Sequence, residues 1–442
     1  MPEPIQVIGG GLAGVEAAWQ IAKAGLPVTL HEMRPVRQTP AHKTAYLAEL
    51  VCSNSLRADD LATAVGLLKA EMRRMGSIIL AVADRVRVEA GGALAVGRDV
   101  FAREVTAELE AAANVTIVRN EIERIPTQGL RVIATGPLTS DALAEDIRRF
   151  TGAESLHFYD ALAPIVETSS LDPSLMFWAS RYGKGGGADY ANSPLDAAGY
   201  QSFVEMLLAA ELAPLHSFEE PRYFERCLPI EEMARRGVET LRFGPMKPVG
   251  LPDPRTGRIP YAVVQLRRDT LAGDHMNLVG FQSRMKWPEQ ERIFRTLPGL
   301  AEARFVRLGQ VHRNTYVDAP RVLLPTWQTR SDPRLFFAGQ LAGVEGYVES
   351  AASGLLAGRN AARLAQGSPA LELPRETMMG ALAWYISHIE PEHFSPAKAA
   401  FGYLPEPPRL RRKRDRRAAY APRALASLDD FLAATASERI PA

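Results

Sequence analysis

Two cysteines in 442 residues leave no room for a disulfide framework, and neither has neighbours at zinc-ligand spacing. No uninterrupted apolar run approaches the roughly 20 residues of a membrane-spanning helix. The opening Met1-Pro2-Glu3-Pro4-Ile5 lacks the basic and apolar regions of a secretory signal, so a cytoplasmic protein is the expectation. An excess of one charge is missing as well. The 52 Lys and Arg face 51 Asp and Glu, a net +1 that gives no overall pull toward nucleic acid or an anionic membrane. The eight histidines include no H-x-x-x-H pair, and no carboxylate grouping suggests two metals, so no metal is expected. A content of 46% hydrophobic and 23% charged residues excludes wholesale disorder. At roughly 150 residues per domain, the length points to two or three domains.

The balanced charge conceals a split. Residues 393–442 hold ten Lys and Arg against five Asp and Glu, leaving the rest of the chain slightly acidic. From Arg409 to Arg417 seven of nine residues are basic, including Arg411, Arg412, Lys413 and Arg414. Such a run can contact nucleic-acid phosphates, or stay a solvated face that binds nothing specific.

The densest local signal is at the start. Ile5 to Ile8 reads as a buried strand, Gly9-Gly10-Gly11-Leu12-Ala13-Gly14 as a turn, and Val15 to Ala24 as a helix stopped by Gly25. Pro27 to Glu32 reads as the next strand. Gly9, Gly11 and Gly14 fit G-x-G-x-x-G, with Glu32 lying 18 residues past Gly14. Such glycines allow a tight turn, backbone approach to a pyrophosphate, and close helix–strand packing. The helix N-terminus then offers N–H groups to phosphate, and Glu32 an acceptor for ribose hydroxyls. A carboxylate at that strand end suits FAD or NAD rather than a 2′-phosphate.

Further along, helices are expected at Leu61–Met75 and Asp99–Ala112, a hairpin over Arg85–Val96, and strands at Val115–Val118 and Leu130–Gly136. Residues 156–304 carry more proline, glycine and aromatics and read as an inserted substrate domain. Within it, Arg181 to Gly187 looks like a mobile glycine loop, in which Lys184 either clamps phosphate or is plain surface. The chain returns with a strand at Arg334–Gly339, and Gly343 to Tyr347 opens a helix running to Leu364. The division is thus 1–155 and 305–370 for a dinucleotide-binding domain, 156–304 for the insertion, and 371–442 for a helical basic tail. That tail has helix patterns at Thr377–His388 and Ala424–Ala434. The fold class is α/β: a Rossmann-like FAD-binding domain of the glutathione-reductase type with an inserted α+β domain.

The two thiols carry most of the chemical interest. Cys227 lies among Arg222, Arg226, Arg235 and Arg236, which would favour a thiolate, whereas Cys52 lies in a polar stretch. Either can also be a small buried hydrophobe. His312 sits just before the returning segment and reads equally as a strand-end histidine.

Several long strings resemble one bacterial family, the folate- and FAD-dependent tRNA uracil-5-methyltransferases. They include VIGGGLAGVEAAWQIA at 7–22, HEMRP at 31–35, ELVCSNSLR at 49–57 and RYGKGG at 181–186. Others are RYFERCLPIEEMARRG at 222–237, TLRFGPMKPVGL at 240–251, YAVVQLRRD at 261–269 and FAGQLAGVEGYVESAASGLLAG at 337–358. The resemblance implies methylation of uracil C5 in the T loop of tRNA. The one-carbon unit comes from 5,10-methylenetetrahydrofolate, and reduced FAD, regenerated by NAD(P)H, supplies electrons. It implies that Cys227 attacks the base and that Cys52 sits near the flavin as a second thiol, a proton donor or a guard. By the same resemblance Gly9, Gly10, Gly11, Leu12, Ala13, Gly14 and Glu32 hold one end of FAD, and Gly339, Gln340, Gly346 and Tyr347 the other. His312 is the candidate to stack on the folate pterin.

Three alternatives compete: an FAD enzyme acting on the wobble uridine of tRNA, a small-molecule NAD(P)H–flavin oxidoreductase, and a non-catalytic FAD-stabilised tRNA-binding module. The string around Cys227 disfavours the first. RNA dependence separates the second, and indifference to loss of Cys227 the third.

Overall fold

Short runs, mostly buried in the middle of the sheet and alternating apolar with polar toward one side, build the centre of the first domain. In the computed structural model, which describes residues 3–39, 41–152, 156–161, 163–213, 228–270, 272–309, 311–406 and 413–437, they form a five-stranded parallel sheet. Its order is Leu335–Phe337, Arg131–Ile133, Ile5–Ile8, Val28–Glu32 and Val115–Arg119. The two strands at one side, Leu335–Phe337 and Arg131–Ile133, are buried at every residue, as a sheet covered on both faces requires.

Two helices from opposite ends of the chain lock against each other over this sheet. Leu12–Lys23 and Tyr347–Ala365 touch backbone to backbone, because Gly354 and Gly358 lack side chains at the contact. A Cβ at Gly354 would stand 2.0 Å from the Ala13 carbonyl oxygen, and one at Gly358 2.4 Å from that of Ala17. This close approach joins the early and returning parts of the domain.

The insertion has its own sheet and core. Six antiparallel strands run in the order Phe177–Trp178, Tyr190–Leu195, Ala262–Arg268, His275–Leu278, Ile165–Glu167 and Phe305–Arg307. Ala197–Ala209 and Trp287–Phe294 cover one face, where Phe203, Phe281 and Phe294 interlock. An antiparallel pair, Leu156–Ala161 with Val311–Tyr316, carries the chain into and out of this region. The architecture is the expected α/β doubly wound domain with an α+β insertion.

Two readings change. The described part of 371–442 does not stand apart as a tail: the Met378–His388 helix is apolar nearly all round, and its Met378, Leu382 and Ile386 share the first domain's core with Ala424 and Leu428. The last helix is Lys413–Ser437, longer than its apolar positions alone suggested, and the basic run leads into its first turns. The Arg181–Gly187 loop, expected to be mobile, is tied down. Arg181 donates to the carbonyl oxygens of Val249 and Lys247, and the Asp189 carboxylate accepts from Gly91 and Gly186 N–H.

Two helix N-termini rest on buried carboxylates. Glu16 accepts from the Ile79 N–H at 3.1 Å, and Glu71 from Met378 and Met379 N–H at 2.7 and 2.9 Å. Burial outweighs those bonds and pushes Glu16 up to about 7 and Glu71 up to about 8. A carboxyl whose folded value lies above its unfolded one contributes most below about 4.5, and that contribution is lost as pH rises through 7 to 8. For Glu16 the loss is on the order of 3 kcal/mol. Glu16→Gln should therefore match the parent at pH 5 and exceed it at pH 8 in urea denaturation; parallel pH profiles would contradict this.

Candidate active site

The Leu12–Lys23 helix starts without a cap. Gly11 occupies the N-cap position with no side-chain bond to the helix, and the first turn holds no acid. Its leading N–H groups are thus available to an anion. A Cβ built at Gly11 meets nothing within 4 Å, so the turn presents bare backbone to open space. Gly10 is small for a different reason: a Cβ there would fall 2.5 Å from Leu47 and 2.8 Å from the Glu32 carboxylate. Gly14 faces away from this space and lies against the Gly9 carbonyl.

Glu32 closes the turn from the next strand. One oxygen accepts from Gly10 N–H at 2.8 Å, and the other from the backbone and Nε of Arg34, both at 2.9 Å. Burial raises this carboxyl, yet Arg34's hydrogen bonds and charge, with the Gly10 N–H, hold it below the usual range. Three of its roughly four acceptor sites are used, leaving one for a hydroxyl. Arg34 is fixed in turn by Glu49 at 3.1 Å.

These groups line a cleft of about 1120 Å³, partly open to solvent. Gly9 to Ala13, Glu32 and Arg34 occupy one part; Gly339, Gln340, Tyr347 and Cys52 join them across it. Positive φ at Gly339 (77°), Gly343 (85°) and Gly346 (111°) makes the turn that brings Tyr347 in at the head of its helix. Gly346 itself supports that turn without lining the cleft. The Tyr347 hydroxyl accepts the Cys52 N–H at 2.7 Å and also bonds the Cys52 side chain. Burial, helped by Cys52 and opposed by Arg98, pushes that hydroxyl well above its ordinary value, so Tyr347 stays protonated.

The other sequence candidates are not assembled here. Lys184 is exposed on its loop and does not line the cleft. His312 pairs by its backbone with Asp160 in the strands joining the two regions. Cys227, Arg411 and Arg412 lie outside the described residues, while Lys413 and Arg414 begin the last helix. Sequence reading missed Arg34, Arg98, Arg267, Asp269 and Arg307, which converge on Glu32 or on the Cys52 segment. Arg34, Arg267 and Asp269 sit inside HEMRP and YAVVQLRRD, two of the strings that carry the family resemblance, whereas no motif marks Arg98 or Arg307. Among the described residues no three His, Cys, Asp or Glu gather as metal ligands, and no helix is long and apolar enough to cross a membrane.

Residues 4–369 match the family model described as glucose inhibited division protein A. A methylenetetrahydrofolate–tRNA-(uracil-5-)-methyltransferase, TrmFO, of Geobacter sulfurreducens is 56% identical over 98% of this chain and 100% of its own. The proteins of that name from Symbiobacterium thermophilum and Enterococcus faecalis are 57% and 54% identical, over 99% and 96% of this chain and 98% of each of theirs. Among solved structures, Aquifex aeolicus GidA superimposes with a TM-score of 0.69 at 17% identity, over 96% of this chain and 75% of that one. At that identity the likeness concerns the fold alone.

Proposed function

The chain belongs to the methylenetetrahydrofolate–tRNA-(uracil-5-)-methyltransferases within the glucose inhibited division protein A family, and from that premise we propose how its cleft serves the reaction. The protein methylates C5 of a tRNA uracil with the one-carbon unit of methylenetetrahydrofolate, in the T loop on this reading. The carrying observation is the single cleft that gathers an uncapped helix N-terminus, Glu32, Gln340, Tyr347 and a thiol.

The donor set fits FAD. Gly9 to Ala13 offer backbone N–H groups and a bare turn to a pyrophosphate, and Glu32 retains an acceptor for a ribose hydroxyl. Gly339, Gln340 and Tyr347, which line the same cleft, would hold the flavin end. Bound and reduced, FAD supplies the two electrons that turn a methylene into a methyl group, and NAD(P)H restores them.

Uracil C5 is a poor nucleophile, which gives the thiols their work. The Cys227 thiolate adds to C6, so that the electron pair reaches C5 as an enolate. That carbon bonds the methylene carbon as the bond from methylene to folate N10 breaks and N10 takes a proton. Loss of the C5 proton expels N5, which is protonated as tetrahydrofolate leaves, and an exocyclic methylene remains at C5. A hydride equivalent, two electrons and one proton, converts that methylene to methyl as the thiolate leaves C6 and the ring double bond returns. Cys52, held at Tyr347, stands on the flavin side of this chemistry. The basic run around Arg411, Arg412, Lys413 and Arg414 draws in tRNA phosphates and makes binding salt-dependent. His312 is the proposed pterin contact, and Lys184 a phosphate contact outside the cleft.

Incubation with unmodified tRNA transcript, methylene-labelled methylenetetrahydrofolate and NAD(P)H should place label in 5-methyluridine. FAD that is bound and reducible while RNA stays unlabelled would overturn the proposal.

A further inference from the structure

Five consecutive residues, Leu50 to Asn54, are gripped by arginines from three separate stretches of chain. Arg98 donates to the Leu50 carbonyl and, at 2.8 Å, to the Asp269 carboxylate. Arg307 donates to the carbonyl oxygens of Val51 and Cys52 at 2.7 and 3.3 Å. Arg267 holds the Ser53 hydroxyl and the Asn54 side-chain oxygen, each at 3.0 Å. From the opposite side the Tyr347 hydroxyl accepts the N–H groups of Cys52 and Ser53 at 2.7 and 3.3 Å.

The charges do not balance. Arg98 and Arg267 are buried and Arg307 nearly so, while among the described residues the carboxylate ion-paired with this group is that of Asp269, on Arg98. Burial and the repulsion of Arg98 bring the Arg307 guanidinium down to about 10, a measure of how crowded this positive charge is. Nε of Arg98 and of Arg307 has no hydrogen-bond partner. Backbone carbonyls offset part of the cost of burying excess cations, and an anion among them would offset more. Cys52 acts electrostatically on Arg98, Arg307 and Tyr347, and Asp269 on all three arginines.

We propose that Arg98, Arg267 and Arg307 are positioning residues that fix the Cys52 segment against Tyr347 and favour the thiolate of Cys52. Arg267 and Asp269 come from the inserted region and Arg307 from the edge strand Phe305–Arg307 of its sheet, so the thiol's place depends on how that sheet is seated. The charged and titratable groups around the Leu50–Asn54 segment are Arg98 at the head of its helix, Arg267 near the end of Ala262–Arg268, Asp269 just beyond that strand, Arg307 at the end of Phe305–Arg307, and Tyr347. Tyr190 lies behind Arg267, and Glu49 on the same segment is turned onto Arg34.

The test uses FAD-loaded, full-length protein. In a Cys227→Ser background Cys52 is the sole thiol, so iodoacetamide alkylation from pH 5.5 to 9.5 reports it directly. Arg267→Met or Arg307→Met should raise the midpoint by about one unit and slow alkylation at pH 7 about tenfold. Lysine at either position should recover part of the shift, since it keeps charge but not the forked grip. With Cys227 intact, Arg307→Lys should lower kcat for methyl transfer with KM for tRNA unchanged. An unaltered alkylation profile in folded, FAD-loaded methionine variants overturns the proposal. If those variants lose FAD, unaltered alkylation in the lysine variants overturns it instead. The kinetic arm rests on the methyltransferase reading; alkylation needs neither RNA nor folate, so the two fail separately.

Discussion

Gly14→Ala should yield protein that purifies without FAD and melts earlier even as apo-protein. The added Cβ would stand 1.8 Å from the Gly9 carbonyl oxygen and 3.0 Å from its carbon. Both are backbone atoms, so no side chain can swing aside. Nor can Gly9 retreat, because it already sits at φ 102°, packed so closely that a Cβ on it would stand 2.6 to 2.8 Å from backbone atoms of Ala134 and Thr135. The helix N-terminus must withdraw from the turn, carrying with it the N–H groups offered to the pyrophosphate. Overpacking of this kind costs about 1 to 3 kcal/mol even where side chains can adjust, and more is expected against backbone. Gly11→Ala supplies the contrast. It occupies ordinary extended backbone, at φ −77°, and its Cβ meets nothing, so the apo-protein should melt like the parent. Its methyl group nevertheless enters the cleft beside the helix N-terminus, and FAD affinity should fall at least tenfold. Flavin content after dialysis and apo-protein melting separate the two variants. A Gly11→Ala protein that retains FAD as tightly as the parent would remove the pyrophosphate from this turn.

What sequence made legible is what local pattern encodes. Strand, glycine turn, helix, strand and acid follow one another within 32 residues, and each step is a short-range preference. The returning strand and Gly346–Tyr347 turn were legible for the same reason. Partnerships across long separations were not. Arg98 meets Asp269 at a separation of 171 residues, and Arg307 meets Val51 at 256; no periodicity or spacing rule connects such pairs. The same limit applies to the C-terminal helices. The apolar face of Met378–His388 announces burial without saying which core receives it, and Glu71, far back in the chain, completes its N-terminus. Loop composition misled in the opposite sense: Gly183, Gly185 and Gly187 suggest freedom, whereas their positive φ values build a turn fastened by Asp189 and Arg181. Glu32 was singled out for a ribose, and the structure adds that most of its capacity is spent on Gly10 and Arg34.

The two thiols should part company when each is removed. Cys227→Ala is expected to cut methyl transfer to tRNA by about 10³-fold or more, because no other group supplies the bond to C6 that activates C5. FAD content and tRNA affinity should stay at parental values, since the substitution removes a single sulfur atom. Cys52→Ala leaves the segment's scaffold in place. The Cys52 N–H still reaches Tyr347 and its carbonyl still accepts from Arg307, as these are backbone bonds that alanine retains. Folding and FAD loading should therefore survive, while turnover falls through loss of the sulfur alone. A second readout assigns the step: incubated with a tRNA carrying 5-fluorouracil, which cannot release its C5 substituent as a proton, the Cys52→Ala protein should still form an RNA adduct stable to denaturing gels. The Cys227→Ala protein should form none. An adduct that persists without Cys227 but disappears without Cys52 would exchange the two assignments, moving attack on the base to the thiol held by Tyr347 and the arginines.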